Sequence, residues 1–143
     1  MGSSQASQRE FFQAGTAVDH IKNIRMYREK IASIEERIAR LRSAMEMGSR
    51  QLTGMPRNTD VQDRLANDIV RLDALERQLI GETLRFEIAV AEAEQAIDRL
   101  PGAQRIIMRL RYIEGLSWRR VSEKSFYGIR HCFKLHDKAL RSL

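Results

Sequence analysis

Residues 101–143, PGAQRIIMRLRYIEGLSWRRVSEKSFYGIRHCFKLHDKALRSL, decide how this chain is read. Gly115 and the run Ser125–Tyr127 punctuate the stretch, so the apolar spacing predicts three short helices. The first covers about 103–114 with Ile106, Ile107, Leu110 and Ile113 inward, and Gly115 ends it in a left-handed residue. Ser117 caps the second helix, whose inner face is Trp118 and Val121, and Glu123 lies too far along to complete a capping box. Gly128 caps the third, which runs from Ile129 to about Ser142 and turns Cys132, Leu135, Ala139 and Leu140 inward. The same 43 residues hold ten Lys/Arg against Glu114, Glu123 and Asp137, about +7, whereas the first hundred hold 15 bases and 16 acids. The formal +6 of the chain therefore sits in this block. A compact basic tri-helical unit is the electrostatic footprint of a helix-turn-helix on nucleic-acid phosphate.

Upstream, two long helices are expected. Ile24, Tyr27, Ile31, Ile34, Ile38, Leu41 and Met45 alternate spacings of three and four, a heptad seam. Thr16 or Asp19 caps its start, and Gly48 and Ser49 close it. The stretch from Gly48 to Asp60, GSRQLTGMPRNTD, reads as the connecting loop, with Thr59 or Asp60 capping the second long helix. That helix carries Val61, Leu65, Ile69, Leu72, Leu75, Leu79, Phe86, Val90, Ala93, Ile97 and Leu100. A further row of Val70, Ile80, Leu84 and Ile88 widens its apolar face, as though more than one helix packs on it, from the C-terminal block or from a second subunit. Residues 17–50 carry eight bases and five acids, and residues 60–100 five bases and ten acids, so an antiparallel hairpin is complementary along its flanks. Such a hairpin serves as a spacer or as a self-association surface.

Leu100-Pro101-Gly102 ends the second helix, and Pro101 fits the first turn of the next. The expected organisation is thus a disordered N-terminus over residues 1–15, a helical hairpin over 16–100 and a helix-turn-helix over 101–143. With 43 % apolar residues, 31 % charged and only ten Gly and Pro together, composition favours an all-α protein. The lone Cys132 excludes an internal disulfide and a cysteine-rich metal site, and reads as a small buried hydrophobe in a reduced compartment. His20, His131 and His136 lack metal-ligand spacing. No apolar run reaches a membrane span, and MGSSQASQRE lacks a signal-peptide core, so a cytoplasmic protein is expected. Neither an acid/base pair, a nucleophile–base pair nor a phosphate-cradling glycine loop is present, so neither an enzyme nor a cofactor is expected.

The string RLRYIEGLSWRRVSEKSFYGIRHCFKLHDKAL, Arg109 to Leu140, resembles the C-terminal module of phage and prophage regulators of late transcription. That module is similar to sigma factor region four, the helix-turn-helix that reads the promoter −35 element. A helical pair joined by a Met-Pro loop precedes it in such proteins, and Met55-Pro56 matches that loop. The likeness covers roughly residues 20–143, and its most specific block is Arg111 to Trp118, RYIEGLSW. It implies groove-facing positions at Ile129, Arg130, Phe133 and Lys134. Ile129 and Phe133 depart from the charged or polar residues usual there, and Phe126 occupies a turn position where glycine is common. Around this face, Arg119 and Arg120 are expected on the phosphate backbone, with Gly128, His131, Lys138 and Arg141 completing the DNA-binding set. The chain then reads as a sequence-specific regulator of phage type in a bacterial host cell, binding double-stranded DNA as a homo-oligomer, with a dimer favoured. A small terminase-like packaging subunit and a protein that binds RNA polymerase or sigma factor are the alternatives. Trp118 is expected in the core rather than as a base-stacking platform, and His136 on the side of the first helix of the module.

Overall fold

The computed structural model describes residues 17–52 and 59–143, which form helices and connections without a strand among them. The long helices are α1, Ala17–Leu52, and α2, Thr59–Asp98. Helix α3, Gly102–Met108, runs on into a π-helical turn over Arg109–Ile113 and is followed by α4, Trp118–Ser125, and α5, Ile129–Ser142. The all-α class read from composition is the class observed.

Several local expectations need correction. Gly48 and Ser49 do not close α1, which continues to Leu52. A single glycine costs about 1 kcal/mol in a helix, too little to stop one already propagating over many turns. Thr59 and Asp60 lie inside the first turn of α2 rather than before it, and Asp19 likewise lies inside the first turn of α1. Pro101 stands at the cap position of α3, where its carbonyl accepts from the Arg105 N–H at 2.9 Å. The expected N-terminal disorder, Thr16 and the Met55-Pro56 loop fall outside the described residues.

The chain forms two compact units, and they do not follow the punctuation at residue 101. One comprises Tyr27–Arg85, and the other joins the described residues up to Met26 to Phe86–Leu143. In the first, the heptad seam of α1 packs on α2. Ile34 and Ile38 are buried, and Tyr27, Ile31, Leu41 and Met45 are half-buried along with Leu65, Leu72, Leu75 and Leu79. The predicted charge complementarity appears as a cross-helix pair, Arg42 Nη2 to Glu76 Oε1 at 2.7 Å. Glu82 is buried, with Oε1 accepting from Arg85 at 3.1 Å and Oε2 unpartnered.

The second unit is built on fully buried Ile21, Ile24, Ala93, Ile97, Ile107 and Met108, with Ala89 and Leu100 nearly so. His20 Nδ1 lies 3.0 Å from Glu92 Oε2, and Arg109 bridges Glu94 at 3.6 Å and Asp98 at 3.3 Å. The foot of the hairpin and the C-terminal helices thus share one compact unit.

On α2 the second apolar row is bare. Val70, Ile80, Leu84 and Ile88 are 68, 62, 60 and 55 % exposed, and Ile69, expected in the first row, is 53 % exposed. Among the described residues these side chains are open to solvent. Gly81 lies beside it, and a Cβ built there meets nothing within 4 Å. Packing among the described residues thus gives no reason for a glycine in mid-helix, where alanine is favoured by about 1 kcal/mol.

Candidate nucleic-acid interface

The three C-terminal helices close over Ile107, Val121, Cys132 and Leu135, with Ala103, Leu110, Leu116, Trp118 and Tyr127 packed around them. Cys132 and Ala139 are buried as expected. Ile106 is not inward: it is 47 % exposed, and Met108 takes the buried place beside Ile107. Successive residues on a helix are about 100° apart, so three in a row span about 200°; the buried arc takes in Ile107 and Met108 and leaves Ile106 at its outer edge.

Each break between helices has a local cause. At the end of the π-helical turn the Glu114 N–H donates to the Arg109 carbonyl at 2.9 Å. Gly115 adopts φ 71°, and the Leu116 N–H reaches back to the Leu110 carbonyl at 3.1 Å. That closure is one residue wider than the usual six-residue cap, as the widened turn before it requires. Arg111 then donates to the Leu116 carbonyl at 2.9 Å and lies 4.8 Å over the Trp118 ring. Ser117 caps α4, its Oγ accepting from the Arg120 N–H at 3.3 Å.

Between α4 and α5 the backbone turns through Phe126 at φ 62°, the only non-glycine left-handed residue among those described. Hydroxyls hold this turn. Ser122 Oγ donates to the Tyr127 carbonyl at 2.6 Å, and Ser125 Oγ accepts from the Tyr127 N–H at 3.3 Å. The Phe126 ring, 94 % exposed, contributes nothing to that hold. Gly128 is the cap of α5 and offers no side chain to its first N–H groups, which therefore carry the positive end of the helix dipole into solvent.

The expected reading face is exposed throughout. Arg130, Lys134, Asp137, Lys138 and Arg141 are exposed, Ile129 and Phe133 are 44 and 41 % exposed, and His131 is exposed with its ring edge-on to Tyr127. Among the described residues, Arg120, Arg130, Lys134, Lys138 and Arg141 enter no ion pair, so five cations face solvent uncompensated. Arg119 differs: it pairs with Glu123 at 3.4 Å, and Lys124 pairs with Glu114 at 3.4 Å.

Trp118 sits in packing, as expected. Its ring meets Phe133 edge-on at 5.0 Å and His136 at 4.9 Å. His136 faces the first helix of the module, its Nε2 2.6 Å from the Tyr112 hydroxyl. Burial holds the His136 imidazole below its ordinary pKa, a push that Arg111 and Lys22 reinforce and Asp137 opposes. Burial also raises the Tyr112 phenol and lowers the Arg111 guanidinium. This Arg111–Trp118–His136–Tyr112 stack fixes α5 against the π-helical turn. The sequence offered only Trp118 and the side of His136 as signals of it. Among the described residues no group of His, Cys, Asp and Glu comes together to hold a metal, and no helix is long and apolar enough to cross a membrane. Compared with protein families, curated proteins and solved structures, the chain matches none.

Proposed function

We propose that this protein binds double-stranded DNA through its C-terminal helix-turn-helix and acts as a transcriptional regulator of phage type. The reading rests chiefly on one observation: Arg130, Lys134, Lys138 and Arg141 project from α5 without acidic partners, behind a helix N-terminus open to solvent. The N-terminal half of α5 enters the major groove, where Arg130 and Lys134 offer donors to guanine O6 and N7. Arg120 holds phosphate, joined by Arg119 once it leaves Glu123, an exposed pairing that costs little to break. Gly128 allows close approach of the helix end, and His131, Lys138 and Arg141 neutralise the flanking backbone. The protein needs no cofactor and performs no chemistry in this reading, and it works in the cytoplasm of a bacterial host.

The bare row on α2 supports self-association. A second copy seated on Ile80, Leu84 and Ile88 would bury them and give Gly81 a purpose, since a residue without Cβ lets a neighbouring backbone come close. Two linked modules then bind one duplex with raised effective concentration. Footprinting the purified protein across its own gene neighbourhood tests the reading, with discrete protected segments at moderate salt expected. Stoichiometry separates the packaging alternative: a dimer fits transcription, and a ring of about eight or more subunits fits a small terminase. Retention of RNA polymerase in the absence of DNA would favour the polymerase-binding alternative.

A further inference from the structure

Three exposed apolar side chains interrupt the polar end of the module: Phe126 at 94 %, Ile129 at 44 % and Phe133 at 41 %. Ile129 and Phe133 lie one turn apart on α5, alternating with Arg130 and Lys134 at the same one-turn spacing. Phe133 is held in place by the edge of Trp118 at 5.0 Å, so its exposed part is presented by a fixed ring. Phe126 occupies a left-handed backbone, φ 62°, where a bulky residue is strained and glycine would not be. Neither packing nor backbone geometry among the described residues accounts for a phenylalanine there.

Resting on the DNA-binding reading above, we infer that Ile129 and Phe133, flanked by Phe126, select sites that present thymine C5-methyl groups beside the guanines met by Arg130 and Lys134. In the major groove the thymine methyl is the apolar feature of the base edges, and the remaining positions are donors or acceptors. An isoleucine or phenylalanine pressed onto guanine or adenine edges would strip water from groups it cannot satisfy, a penalty that falls away over a methyl. Apolar side chains therefore discriminate by what they fail to pair with as well as by what they touch. The interleaved cations supply the complementary preference. Selected sites consequently carry mixed thymine and guanine steps, and α5 reads both.

The test is selection of duplexes from a random pool by the full-length protein, then resynthesis of the selected duplex with each thymine replaced in turn by deoxyuracil. That replacement removes the methyl and keeps every hydrogen-bonding group. At contacted positions affinity falls about fourfold, the equivalent of one buried methyl-sized group. Ile129→Ser and Phe133→Ala should each erase the loss at one position and leave the others intact. Phe126→Gly relieves the left-handed strain, so it should raise the melting temperature while weakening binding to the selected duplex. A selected consensus indifferent to deoxyuracil at every thymine overturns the inference and leaves the DNA-binding reading standing. Unchanged affinity of all three variants for the selected duplex likewise overturns it and assigns the apolar patch to a protein partner. Selection that yields no consensus, with equal affinity for any duplex, removes both.

Discussion

Arg130 and Arg119 are both exposed arginines of the basic block, yet the structure gives them different circumstances. Arg119 is paired with Glu123, whereas Arg130 faces solvent in the first turn of α5. Arg130→Ala should cost about 1–3 kcal/mol on a specific site and far less on random duplex, which flattens discrimination. Arg120→Ala should weaken both kinds of DNA alike. Competition titrations at matched salt check this, and equal losses for Arg130→Ala on the two would make it one more phosphate contact. His136 carries a pH dependence whose sign comes from its burial. Its folded pKa lies below its ordinary 6.5, so the folded state binds fewer protons than the unfolded one as that value is crossed. Its contribution is complete above about 6.5 and is lost as pH falls toward the folded value. Melting temperatures taken between about pH 7.5 and 5.5, either side of that ordinary value, should fall more steeply for the native protein than for His136→Gln. Equal slopes would refute the assignment. Residues such as Cys132, Leu135, Ala139 and Ser117 were legible from spacing because a buried or capping role recurs with helical period. The partner of His136 was not legible, since Tyr112 is 24 positions away and nothing local specifies that meeting.

At the level of elements, α2 carries two apolar rows with different fates. Ile34 and Ile38 of α1 face the first row and are buried, so Ile34→Asp should unfold the hairpin, with at least about 1.5–3 kcal/mol of lost burial plus the penalty on the charge. Loss of helicity by circular dichroism checks it. Leu84 in the second row is 60 % exposed, and Leu84→Asp should leave monomer helicity untouched while reducing the mass found by sedimentation. A mass unchanged by Leu84→Asp would remove the outer row as an assembly surface. The positions of these rows were readable, because periodicity reports that a residue can be buried. It does not report against what, which is why Ile69 and the outer row were grouped with the packed face. Gly48 does not break α1 for a related reason: local propensity differs by less than the cooperative gain of extending the helix. The π-helical turn over Arg109–Ile113 carries the same apolar spacing as the α-helical turns before it, so periodicity gives no signal of it.

For the whole molecule, charge separation is the dominant fact. The five uncompensated cations of α4 and α5, Arg120, Arg130, Lys134, Lys138 and Arg141, should give a slope of log K against log[salt] of about −4 to −5 for each module. A slope shallower than about −2 would reduce the basic block to a solubilising surface. The composition of the two compact units bears on how the protein is made. The unit that holds the C-terminal helices is discontinuous in sequence: Ile21 and Ile24 belong to it, and so do Cys132 and Leu135, with Tyr27–Arg85 inserted between. During synthesis its first segment leaves the ribosome well before its last, roughly five to twenty seconds earlier at ordinary elongation rates. The inserted segment is contiguous, and any structure it forms meanwhile shortens the loop that remains to be closed and lowers the entropic cost of closing it. A fragment beginning at Pro101 would lack Ile21, Ile24, Ile97 and Leu100, whereas a chain in which a short linker replaces 27–85 would retain them.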